Sequence, residues 1–144
     1  MASLEAWADN GWLQRHEATR EEIDNLLAIV DRETRDARVP GLSLDAQLGM
    51  LYNAALKLAD IALRVHGYRA DRANAHYRTI TAIPLTLGTD WAESARFINH
   101  IRSLRHRGDY ESVGIATADE VRDIQVEIER LRPRVERLVE EVLR

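Results

Sequence analysis

Val121, Ile124, Ile128, Leu131, Val135, Leu138 and Val142 recur in alternating steps of three and four. That spacing puts all seven on one face of an α-helix and on no single face of a β-strand. Thr117-Ala-Asp-Glu120 precedes the run with the residues of a capping box, in which a Thr oxygen accepts from the third helical N–H and the Glu reaches back. An a/d stripe of this length must be covered by other helices. It has two uses: a core stripe facing its own chain, or a seam that also meets a second copy. Val126, Val139 and Leu143 widen the stripe and leave room for a dimer. Pro133 falls on the opposite face, so it is expected to bend the helix without leaving the seam.

The rest of the chain carries the same period. Thr19-Arg-Glu-Glu22 opens a helix striped by Ile23, Leu26, Leu27 and Val30, with Pro40-Gly41 as its end. Ser43 caps a long apolar helix through Leu44, Leu48, Leu51, Ala55, Leu58, Ala62 and Val65, which Gly67 stops. A third helix is expected from Arg72 to Leu87, bent at Pro84. A fourth carries Trp91, Ala95, Ile98, Ile101 and Leu104, and Gly108 breaks it. The 144 residues form one domain able to bury about two thirds of its unfolded surface. The expected class is all-α: an antiparallel four-helix bundle over 19–144, with 1–18 as a docking segment. That segment holds a short helix, Leu4–Asp9, and Trp7 and Trp12 that settle on the bundle. With no cysteine there is no disulfide framework, thiolate nucleophile or Cys-ligated zinc. The start lacks a basic segment leading into an apolar run, and no stretch reaches the roughly 18 apolar residues of a membrane helix. A soluble, cytoplasmic protein is expected, with no membrane partner.

The net charge of −4 hides a division. Residues 61–108 hold eight arginines against Asp71, Asp90 and Glu93, a local +5, so the remainder carries −9. His66, His76, His100 and His106 lie in the same basic stretch, and Lys57 is the only lysine of the chain. Such a patch suits a polyanion, since the guanidinium fork fits phosphate; equally, it can be a solvated surface paired to the acidic flanks. Glycine-rich phosphate loops, a Gly-x-Ser-x-Gly elbow, His-Glu-x-x-His and paired Glu-x-x-His motifs are all absent from the sequence. No metal and no cofactor are therefore expected. What remains is Arg102-Ser-Leu-Arg105-His106-Arg107-Gly108-Asp109-Tyr110. No acid occurs between Ser94 and Gly108, so Arg96, Arg102, Arg105 and Arg107 act together. Cations in a last helical turn also complement the helix dipole.

Arg105-His106-x-x-x-Tyr110 at the end of a bundle helix resembles the motif of the HEPN superfamily: Arg, a polar residue, then His a few positions on. The upstream stretch Gly67-Tyr68-Arg69, then Ala75-His76-Tyr77-Arg78-Thr79-Ile80 and Ile83-Pro84, is similar to the His-containing helix that often precedes the motif there. The resemblance spans roughly Ser43 to Leu143. It implies a homodimeric, metal-independent ribonuclease of toxin–antitoxin or phage-defence type. Arg105 would contact the scissile phosphate, His106 would orient that Arg or hold RNA, and Arg102, Arg107, Arg78, His76 and Arg96 would bind RNA. Tyr110 stands where the family has its catalytic His, and a phenol is a poor base at neutral pH. Three roles stay open for it: an RNA or transition-state contact with His106 or His76 moving the proton, the mark of an inactive binding domain, or a target of nucleotide transfer. The alternative function is thus a catalytically inactive module partnering an antitoxin or a nucleotidyltransferase.

Overall fold

The computed structural model describes residues 2–110 and 114–143, the side chains of 107–110 excepted. The chain is mostly helical: α1 (Leu4–Asp9), β1 (Leu13–Arg15), α2 (Arg20–Asp36), α3 (Leu44–Val65), β2 (Tyr68–Ala70), α4 (Ala75–Thr81), α5 (Ile83–Leu87), a 3-10 turn (Thr89–Trp91), α6 (Ala92–Tyr110) and α7 (Ala118–Val142). Ser43 starts α3 as expected, its Oγ accepting from the Ala46 N–H at 3.0 Å. Gly67, at φ 93°, turns the chain just after its end. Apolar almost all round, α3 is the common partner: α2 and α7 make the most extensive contacts with it, and α4, α5 and α6 also pack on it. No described helix is long and apolar enough to cross a membrane.

The heptad stripe of α7 faces its own chain. Val121, Ile124, Ile128, Leu131, Val135 and Leu138 are buried, while Val142 is 48% exposed. Of the three flanking positions, Val139 is buried in the same core and Leu143 packs against it, leaving only Val126 open. The apolar margin that would meet a second copy is thus narrower than the sequence suggests. Pro133 sits inside an unbroken α7.

Elsewhere the local rules are overridden. The stretch 72–87 is not one bent helix: α4 and α5 are separated at Ala82. The break falls before Pro84 because the proline occupies the second position of α5, where its missing N–H costs nothing. The Ala82 carbonyl takes over as the new first acceptor, from Leu85 at 2.8 Å and Thr86 at 3.1 Å. Gly108 does not end α6, which continues to Tyr110; a glycine inside a helix costs only about 1 kcal/mol. At Thr19 the capping box is half made. Thr19 Oγ1 accepts from the Glu22 N–H at 3.2 Å, but the Glu22 carboxylate turns to His16 Nε2 at 2.6 Å and Arg64 at 2.9 Å. Thr117 and Glu120 complete both arms.

The sequence shows no sign of the small ladder that ties down the N-terminal segment. β1 and β2 pair antiparallel, Gln14 opposite Arg69. His16 N–H donates to the Gly67 carbonyl at 2.8 Å and Asp71 N–H to that of Trp12 at 3.0 Å. Leu13, Leu63 and Ala82 form a small apolar cluster of their own here, with Leu4, Trp7 and Tyr68 against it.

Candidate functional site

Where α6 crosses α3, the packing changes character. Gly49 leaves a notch: a Cβ built there would lie 3.5 Å from Arg105 Nε and 3.6 Å from its Nη2. One turn further along α3, the Tyr52 ring lies 5.1 Å from the guanidinium carbon of Arg105, within range of a cation–π contact. Tyr52 is 1% exposed, and its hydroxyl meets His76 Nδ1, from α4, at 3.3 Å. Burial pushes the phenol up to about 12, although Arg102 and Arg105 pull it the other way. It therefore keeps its proton, and in the tautomer where it donates to Nδ1 a neutral imidazole carries its own proton on Nε2. His76 is held below the usual imidazole range, first by partial desolvation of the ring and then by the charges of Lys57, Arg105 and Arg102.

A second row lies outside this pair. Arg102 donates from Nε to Asn99 Oδ1 at 2.8 Å and stands 5.4 Å from the Tyr77 ring centroid. Arg78 lies 3.7 Å over the Trp12 ring and 5.4 Å from Tyr77. Trp7 meets Trp12 edge to face at 5.5 Å. Trp12 and Tyr77 are 36% and 37% exposed. Four separate segments thus build a face in which cations alternate with rings: Trp12, Arg78, Tyr77, Arg102, then Tyr52 under Arg105. Among the described residues none of these three arginines forms an ion pair.

Of the site residues expected from sequence, Arg102, Arg105, Arg78 and His76 share this face. Arg96 does not: it precedes Arg105 by nine residues, half a revolution around the helix, and pairs with Glu93 at 3.8 Å. His106 is exposed beside Arg105 and lines a shallow hollow with His100, Arg102 and Ser103. Arg107 and Tyr110 continue the α6 backbone, but their side chains lie outside the described residues, so the Arg–His–Tyr motif is described only as far as His106. Sequence reasoning missed Gly49, Tyr52, Lys57 and Tyr77, and gave Trp12 only a docking role. Its signal was present for two of them: Tyr52 is the one aromatic residue in the Leu- and Ala-rich α3, with Gly49 three positions before it. No group of three or more His, Asp or Glu among the described residues is placed to hold a metal ion. Compared with known protein families, curated proteins and solved structures, the chain matches none.

Proposed function

We propose that this chain is a HEPN-like helical bundle that binds single-stranded RNA across the α4–α6 face and cleaves it there without a metal. The observation carrying this reading is that guanidiniums without ion pairs among the described residues alternate with the exposed rings of Trp12 and Tyr77. Backbone phosphates are drawn to cations, and unstacked bases settle on aromatic faces whatever their sequence. Four long helices, α2, α3, α6 and α7, support the bundle the resemblance implies, with Arg105 in the last part of α6.

For cleavage, a ribose 2′-oxygen attacks the adjacent phosphorus and the bond to the 5′-oxygen breaks, leaving a 2′,3′-cyclic phosphate. Arg105 and Arg102 offset the charge that builds on the phosphoryl oxygens. The His76 imidazole takes the 2′-hydroxyl proton, and its lowered pKa keeps that ring in its base form. His106 and Tyr110, which follow Arg105, are assigned to the leaving oxygen. Labelled single-stranded RNA in EDTA tests the reading. Binding should weaken steeply with salt, products should carry cyclic phosphate ends, and Arg105→Ala should lose both. Binding no tighter than that of a charge-matched control protein would overturn it.

One observation favours binding without cleavage: Arg105 is already seated on Tyr52 and against the Gly49 notch. In that case the RNA stays intact while Arg105→Ala still weakens its binding, and the chain is the inactive module of a toxin–antitoxin or nucleotidyltransferase pair. The homodimer belongs to the same reading; light scattering showing a monomer at micromolar concentration would remove it.

A further inference from the structure

We propose that the hollow between α3, β2 and α4, walled by Lys57, Arg69 and His76, is a binding site for a phosphate monoester. Of the residues on the RNA face only His76 lines it, and the open hollow offers about 130 Å³, room for a compact anion rather than a base. Its lining also includes Asp60, Arg64 and Thr79. The first two are already committed: Arg64 donates to Asp60 at 3.0 Å and to Glu22 at 2.9 Å. Lys57 and Arg69 have no hydrogen bond or ion pair through their side chains among the described residues. The carboxylate that Arg69 does feel, Asp71, is held by Gln14 Nε2 at 2.6 Å.

The hollow therefore gathers two uncommitted cations and an imidazole around one vacancy of charge. His76 has Tyr52 and Lys57 beside it from α3 and Arg102 and Arg105 from α6. The three cations among those neighbours disfavour a positive charge on the ring, and the Tyr52 hydroxyl does nothing to offset one. A dianion between Lys57 and Arg69 reverses that balance, and Nε2, the nitrogen Tyr52 does not engage, is left to donate to it. The ligand class is a tetrahedral phosphate monoester, which brings two charges into a small volume. It has two sources, the terminal phosphate of an RNA strand lying on the adjacent face or a free phosphorylated small molecule; only the first rests on the RNA reading.

The test is an NMR titration of the His76 ring in the full chain, with inorganic phosphate against chloride at equal ionic strength. Phosphate should raise the ring's titration midpoint and chloride should leave it. Lys57→Met and Arg69→Gln should each weaken phosphate binding about tenfold, as expected for one lost charge-assisted hydrogen bond. Arg69→Lys, which keeps the charge should Gln loosen the ladder, should restore most of it. A midpoint that phosphate does not move, or moves equally in Lys57→Met and the parent, overturns the proposal. Oligonucleotides of one sequence with a 5′-phosphate or a 5′-hydroxyl then identify the source. Tighter binding of the phosphorylated strand by the parent alone assigns the site to an RNA end; equal binding, with the phosphate shift intact, assigns it to a free monoester. If neither strand binds but phosphate still shifts His76, the RNA reading fails and the site stands.

Discussion

The helix α3 meets α7 and α6 on opposed terms. Against α7 it packs aliphatic side chains on a buried stripe of Val, Ile and Leu. Against α6 it presents a glycine notch and a buried tyrosine, and what fills the space is a guanidinium. The first contact gains from area removed from water and tolerates nothing missing; the second holds a charge at the surface by a ring and a missing Cβ. One helix thus packs the core on one side and seats the candidate site on the other, and substitutions on its two sides should have separable effects.

The largest effect is expected on the aliphatic side. Leu131→Ala empties a fully buried position and should cost about 2–5 kcal/mol in urea or thermal unfolding, with RNA affinity unchanged well below the melting temperature. On the other side, Gly49→Leu should push Arg105 off Tyr52 and weaken RNA binding about tenfold, the worth of one charge-assisted contact, while the melting curve moves little. Gly49→Ala sharpens the contrast. Its Cβ would make only ordinary contact with Arg105, so it should stabilise the chain by about 0.5–1 kcal/mol, as Ala does over Gly inside a helix, without touching RNA affinity. A loss of affinity in Gly49→Ala would break the separation.

Of similar size is Tyr52→Phe, which keeps the ring under Arg105 and removes only the hydroxyl. Stability should fall by about 0.5–1.5 kcal/mol, and the pKa of His76 should rise, because neutral imidazole loses its donor; an NMR pH titration reads this directly. The least effect is a pH slope. The folded His76 pKa lies below the ordinary 6.5, so between the two values the unfolded chain binds the extra proton. Stability should rise with pH up to about 6.5 and level off above it for this group. Melting the parent and His76→Gln from pH 5 to 8 checks the sign: the variant's profile should be flatter.

The helices were legible wherever period and cap coincided, as at Ser43, Thr117 and the α7 stripe. Three-residue strands carry too few positions to show a period of two, so β1 and β2 were not. The site was half legible. Local charge pointed to Arg102, Arg105, Arg78 and His76, but a charge count ignores helical phase and so included Arg96, which points away. Tyr52 and Gly49 were hidden for the opposite reason: in an apolar helix, ring and notch look like core until the helix facing them is known. Glu22 shows the limit of short motifs, since tertiary partners outbid the helix end for its carboxylate.

The N-terminal ladder gives the molecule a seam of a different kind. The first seventeen residues bring Trp7 and Trp12 to Arg78, yet their apolar contacts form a cluster apart from the one between α2, α3 and α7. Cutting after Glu17 and releasing the fragment would then take both tryptophans from Arg78 and leave the principal core whole. Equally, that stretch is where sequence drift can change the rings beside Arg78 at little risk to the principal core.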